Sequence, residues 1–149
     1  MRGFLSAPER DDYRAIVRVK VMGPAHEATM SLEIDTGAAP SIIMSQGWAR
    51  HLGITGQDGH SATLADGSLR PVQMGSANVE WLGETRQVEV VIWDDPAGQL
   101  PPISSSRRSR YRGTPDGLVG RSLLKLSALS IDYPKQHVDL KPSAGTASI

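Results

Sequence analysis

Cysteine is absent from this chain of 149 residues. Disulfides, thiolate zinc sites and cysteine nucleophiles are therefore excluded, although cysteine-free proteins occur in both reducing and oxidising compartments. Net charge is absent too: 16 basic residues balance 16 acidic ones, which argues against a dedicated nucleic-acid binder. No apolar run approaches the ~20 residues of a membrane helix. The first residues lack the long apolar segment of a secretory signal, so the expectation is a soluble protein, cytoplasmic rather than exported. The four histidines (His26, His51, His60 and His137) are scattered, and no spacing among them resembles a metal site. The expectation is chemistry without a metal or organic cofactor.

Glycine and proline are plentiful, at 15 and 10 residues, and short stretches of Val, Ile and Thr lie between them. That texture predicts a single, mainly β domain with one or two short helices. Residues 1–12 read as a mobile N-terminal tail, residues 13–140 as the folded domain and residues 141–149 as a C-terminal tail. From Tyr13 the pattern alternates: Ala15, Val17, Val19 and Val21 share one face, with Arg14, Arg18 and Lys20 on the other. After the Gly23-Pro24 turn, Ala28, Met30, Leu32 and Ile34 alternate with Glu27, Thr29, Ser31 and Glu33, which makes a hairpin with the first strand. Ile42-Ile43-Met44 is a short strand. Ser45 is placed to cap a brief helix ending near His51, with Gly53 as its stop signal. A hairpin is expected around Asp66-Gly67 and another across Gly83, with Val88, Val90 and Ile92 on one face. Residues 94–115, rich in Pro, Ser and Arg, read as a long loop insertion. Ser122 to Leu129 reads as a helix with Leu123, Leu124, Leu126 and Leu129 inward. A closing hairpin around Pro134-Lys135 follows.

The chemistry-bearing segment is Asp35-Thr36-Gly37-Ala38, at the end of a strand. It suits a carboxylate held in a tight turn: Gly37 permits close backbone approach, the Thr36 hydroxyl both donates and accepts, and the small Ala38 leaves space for a substrate chain. The tripeptide alone would arise by chance in roughly 3% of chains this long, and its bland reading is an Asx-turn.

Its surroundings resemble the retropepsin-like aspartic proteases. Asp35-Thr36-Gly37-Ala38-Ala39-Pro40-Ser41-Ile42-Ile43 matches the family's catalytic turn and following strand. Leu118-Val119-Gly120-Arg121-Ser122-Leu123-Leu124 matches its second motif, an apolar pair and glycine that pack beside the turn. The ending, Ser130-Ile131-Asp132-Tyr133 with Val138-Asp139-Leu140, is similar to the closing strands of bacterial members. The resemblance implies an all-β acid-protease fold, a closed barrel with one lobe per chain. It also implies a homodimer that binds a protein or peptide in extended form, with Asp35 as half of a catalytic dyad. Asp66-Gly67-Ser68 and Asp116-Gly117-Leu118 lack the Asp-Thr/Ser-Gly order, so a second chain must supply the other aspartate. Thr36 would hydrogen-bond across the two-fold axis. Ala38 and Ala39 would line the substrate cleft, and Leu64-Ala65-Asp66-Gly67-Ser68 would form the tip of a hairpin flap, with Thr55-Gly56-Gln57-Asp58-Gly59 as a competing location.

One departure concerns Arg121. In many retroviral members the matching arginine pairs with an acid just after the turn, a position occupied here by Ala39. Arg107-Arg108-Ser109-Arg110-Tyr111-Arg112 reads as a solvated basic loop, with partner docking or processing as its alternative. Phe4-Leu5, in the expected tail, is a candidate self-cleavage site. The three tryptophans, Trp48, Trp81 and Trp93, read as core or interface residues. A serine-hydrolase reading fails for want of a nucleophile-elbow sequence. The rival to an endopeptidase is a non-catalytic dimerisation or peptide-binding module on the same fold.

Overall fold

The computed structural model describes residues 1–6, 14–63, 66–93 and 115–143. The expected basic loop at 94–115, with its run at 107–112, falls outside them apart from Pro115. So do Leu64, Ala65, residues 7–13 and residues 144–149.

Among the described residues, ten strands form one sheet. In chain order they are β1 (Arg2–Ser6), β2 (Arg14–Met22), β3 (Glu27–Ile34), β4 (Ile42–Ser45), β5 (Gln57–Thr63), β6 (Leu69–Trp81), β7 (Glu84–Trp93), β8 (Gly117–Val119), β9 (Ser127–Asp132) and β10 (His137–Pro142). The helices among the described residues are α1 (Gln46–Leu52) and α2 (Arg121–Leu124). The spatial order is β5-β6-β7-β4-β8-β3-β2-β1-β10-β9, and β6 also pairs with β2 through Val21↔Val79 and Met22↔Asn78. That extra pairing closes six strands, β2-β3-β8-β4-β7-β6, into a barrel. Closure removes most of the exposed strand edges that an open sheet would present.

Alternation in the sequence explains the filling of the barrel. Val17, Val19 and Val21 from β2 meet Met30 and Leu32 from β3, Ile42 and Met44 from β4, Val79 and Trp81 from β6, and Val90 and Ile92 from β7. Each large apolar side chain so buried contributes about 1.5–3 kcal/mol. The Trp81 indole N–H donates to Ser127 Oγ at 3.0 Å, so this fully buried ring leaves no polar atom unsatisfied. Helix α1 begins where expected: Ser45 Oγ accepts from the Trp48 amide at 3.3 Å, and Gly53 ends the helix in the left-handed conformation (φ 79°). Trp48 is half-buried against the same core. The β6–β7 hairpin turns in two residues, Leu82 (φ 55°) and Gly83 (φ 81°), the mirror-image turn that suits the twist of a hairpin.

Four expectations are corrected. The N-terminal segment is a strand rather than a tail through Ser6. β1 inserts between β2 and β10, with Arg2↔Asp139 and Phe4↔Ile16, and Leu5 is buried. Phe4-Leu5 is therefore locked in a ladder in this fold and is not presented as an extended free segment. At the other end β10 continues through Pro142, so Lys141 and Pro142 are strand rather than tail. Arg14 was expected on a solvent face, yet it is buried, because the sheet is covered on both sides at that end of β2; its Nη1 meets Glu33 Oε2 at 3.2 Å. The leucine-rich helix stops at Leu124. Strand pairing then captures the rest, with Leu129↔Leu140 and Ile131↔Val138, so Leu129 lies partly exposed on edge strand β9 instead of inside a helix.

Candidate active site

β8 lies between β3 and β4, parallel to the first and antiparallel to the second. Chain leaving β3 must therefore cross the end of β8 to reach β4, and residues 35–41 make that crossing. The Asp35 amide donates to Val119 O at 2.9 Å, which continues the β3–β8 ladder by one step. The chain then turns: the Ala38 amide donates to Asp35 O at 3.2 Å, and the Gly37 amide donates to Asp35 Oδ1 at 2.9 Å. The second bond fixes the carboxylate within its own turn.

The Leu118–Arg121 motif holds this crossing from beneath. Leu118 is fully buried beside Ala38 in a second apolar cluster. The Gly120 amide donates to Ser41 O at 3.0 Å, and the Arg121 amide to Ala38 O at 2.8 Å. The Ser122 hydroxyl donates to Ala39 O at 2.7 Å. A Cβ on Gly120 would sit 2.1 Å from Pro40 O and 2.6 Å from Ala38 O, so only glycine allows the turn to lie this close. Arg121 works here through its backbone. Its side chain is exposed and forms no ion pair among the described residues. Asp116 adds a clasp upstream: its amide donates to Ser31 O at 2.7 Å and its Oδ2 accepts from the Ser31 amide at 2.9 Å, which docks β8 against β3.

Asp35 opens onto a groove of about 820 Å³. Gly37, Ala38, Ala39 and Pro40 form the wall on the turn side, and residues 60–63 of β5 with Val72 and Met74 of β6 form the opposite wall. Ile43, Val91 and Trp93 pave the floor. The β5–β6 hairpin pairs Thr63 with Leu69, so Asp66, Gly67 and Ser68 lie in its connection, whereas Gln57-Asp58-Gly59 lies within β5 and Thr55-Gly56 just precedes it. Asp66, Gly67 (φ 85°) and Ser68 are exposed there, beyond the groove wall formed by the arms. Ser68 donates twice to Asp66 Oδ1, from its hydroxyl at 2.6 Å and its amide at 2.9 Å, and these bonds hold the Asp66 carboxyl below the usual aspartate range. Thr36 and Gly37 are exposed at the apex of the Asp35 turn. The floor residues and Ser122 escaped sequence reasoning, because they come from strands far apart in the chain; the alternation of Val91 and Trp93 opposite Val90 and Ile92 was the one available signal.

The overall fold is similar to that of a solved structure. Over 78% of this chain and 90% of the other, the fold matches EIAV protease complexed with the inhibitor HBY-793, at a TM-score of 0.52 and 13% identity. The fold is that of a retroviral protease. In sequence, no family model and no curated protein matches the chain. Among the described residues, no three His, Asp or Glu side chains come together in a way that could hold a metal ion, and no helix is long and apolar enough to cross a membrane.

Proposed function

We propose that this protein is a homodimeric aspartic endopeptidase. The observation that carries the reading is a single Asp35 carboxylate, fixed at the mouth of a groove, with Thr36 and Gly37 uncovered beside it. Water attack on a peptide bond needs two carboxylates: an ionised one to take the proton from water, and a protonated one to polarise the scissile carbonyl. Such a pair must lie about 3 Å apart, where it shares one proton and titrates as a unit. The other carboxylate lining the groove, Glu89, is on β7, which is separated from β3 by two further strands, too far to form this dyad. A two-fold dimer supplies the missing group as Asp35 of the partner subunit, and the exposed Thr36 would hydrogen-bond across the axis.

In this mechanism an extended peptide enters the groove beneath the β5–β6 hairpin, which acts as a flap and excludes bulk water. The ionised member of the dyad takes a proton from the lytic water as its oxygen bonds to the scissile carbon. The protonated member gives its proton to the carbonyl oxygen, producing a gem-diol. Collapse of the gem-diol breaks the C–N bond, the departing nitrogen is protonated, and the shared proton is restored to the dyad.

The test is Asp35→Asn. Wild type should cleave members of a peptide library at mildly acidic pH, and the variant should be at least about a thousandfold slower. Equal activity in the two proteins would sink the assignment. Peptide binding by a wild-type dimer that cleaves no member of the library would instead establish the non-catalytic module.

A further inference from the structure

The strand registers bring a second acid into the same row as Asp35. Ile34 of β3 is opposite Val119, Val119 is opposite Ile42, and Ile42 is opposite Val90, all in the barrel interior. One step along, on the outward side, the row reads Asp35, Gly120, Ser41 and Glu89, tied by the bonds from Asp35 N to Val119 O and from Gly120 N to Ser41 O. Glu89 is thus three strand spacings from Asp35, about 14 Å across the sheet. An extended peptide rises about 3.4 Å per residue, so the same distance corresponds to about four residues of a bound substrate.

Glu89 shares its face of β7 with Val91 and Trp93, the apolar floor of the groove. The other charges of the β6–β7 hairpin pair among their neighbours: Glu84 meets Arg86 at 2.6 Å, and Glu80 lies 3.8 Å from Lys20. The Glu89 side chain has no ion pair or hydrogen bond among the described residues, and it is exposed into the groove opposite Ser76. Among the described residues, the groove lining contains no lysine or arginine. The nearest cation on that face of β6 is Arg70, whose guanidinium stacks over the Trp93 ring at 4.6 Å; Trp93 is four residues along β7 from Glu89, about 14 Å away, so Arg70 forms no ion pair with Glu89.

We propose that Glu89 is a specificity-determining residue, selecting a lysine or arginine about four residues from the scissile bond of an extended peptide. The inference rests on the endopeptidase reading for its scissile bond, but the charge selection belongs to the groove itself. In a two-fold dimer, Glu89 of the partner subunit imposes the same preference on the opposite side of the cleavage point.

The experiment uses fluorescent peptides with a constant apolar centre and Lys, norleucine or Glu placed three to five residues from it. For wild type, Glu89→Gln and Glu89→Lys, kcat/KM is measured for each peptide. In parallel, the same peptides are titrated by anisotropy into Asp35→Asn with and without each Glu89 change. Wild type should prefer Lys over Glu by about fivefold at low salt, and less at high salt. The ratio should fall to about one in Glu89→Gln and invert in Glu89→Lys. Cleavage with the same ratio in all three proteins overturns the role of Glu89 and leaves the endopeptidase reading standing. A charge-dependent binding ratio in the absence of any cleavage supports Glu89 and overturns the catalytic reading. Absence of both binding and cleavage across the set overturns both.

Discussion

Replacing Gly120 by alanine adds one methyl group at the point where the Asp35 turn crosses β8. Gly120 has φ −110° and ψ −172°, extended backbone that alanine adopts freely, so torsional strain does not enter. The whole effect is contact. The new Cβ would lie 2.1 Å from Pro40 O and 2.6 Å from Ala38 O, where real Cβ atoms essentially never come within 3.0 Å. Pro40 O must retreat by about 0.9 Å, and both obstructing atoms are backbone, which has no rotamer to change. The retreat pulls on the bonds from Gly120 N to Ser41 O, Arg121 N to Ala38 O and Ser122 Oγ to Ala39 O. Losing two or three of them, at about 1 kcal/mol each, with some overpacking, costs about 2–4 kcal/mol.

For a domain of this size that loss lowers Tm by about 5–15 °C. Thermal and urea denaturation followed by circular dichroism read it directly. Gly47→Ala is the matched control. It is in the first turn of α1, and the nearest heavy atom to its added Cβ is Ser45 Oγ at 3.8 Å, so the same methyl should stabilise by about 0.5 kcal/mol. A Gly120→Ala protein melting within 1 °C of wild type would refute the close-approach argument. Because Asp35 hangs from the same turn, Gly120→Ala should also cut peptide cleavage by more than its loss of folded protein explains, on the order of a hundredfold for a displacement of this size.

Trp81→Phe removes the indole N–H bonded to Ser127 Oγ and leaves a small void, so urea unfolding should show a loss of about 2 kcal/mol; a loss under about 0.5 kcal/mol would mean the bond is dispensable. Arg14→Met strips the buried guanidinium from Glu33 and should cost about 3 kcal/mol, while the double change with Glu33→Leu should recover most of it; strict additivity of the two losses would refute a coupled buried pair. At the hairpin tip, the Ser68 hydroxyl and then its amide depress the Asp66 carboxyl. A depressed folded value means that this contribution is present above the ordinary aspartate range and is lost as pH falls through the folded value. Ser68→Ala should therefore raise the Asp66 midpoint towards the ordinary range in a carboxyl carbon NMR titration, and an unmoved midpoint would refute the assigned cause.

Features set by neighbours in the chain were legible before the fold was known. The β2–β3 alternation, the Ser45 cap, the Gly53 stop and the β6–β7 hairpin each depend on residues a few positions apart. The Asp35 turn was legible for the same reason, since its carboxylate is fixed by an amide two residues on. Features set by distant partners were misread. β1 is a strand because its five residues fill a slot between β2 and β10, more than 130 positions away in the case of Arg2↔Asp139. Its own sequence, Arg-Gly-Phe-Leu-Ser, shows no alternation strong enough to announce this. Arg14 looked solvent-facing because its face of β2 also carries Arg18 and Lys20; only Ile16, on the same face and also buried, hinted that this end is covered.

The same distinction explains why the turn was visible and the groove was not. A carboxylate in a tight turn is a local object, which one strand and one glycine suffice to build. A groove is a row across several strands, and Glu89 enters it only because three separate registers, β3–β8, β8–β4 and β4–β7, agree on the row that contains Asp35. A slip of one residue in any of them would turn Glu89 to the other face of the sheet relative to Asp35, since side chains alternate with a period of two. The interior partners Ile34, Val119, Ile42 and Val90 make such a slip costly, because it would expose their side chains and bury polar ones in their place. The barrel core thus sets more than stability: by fixing these registers, it also decides which charge shares the row of Asp35.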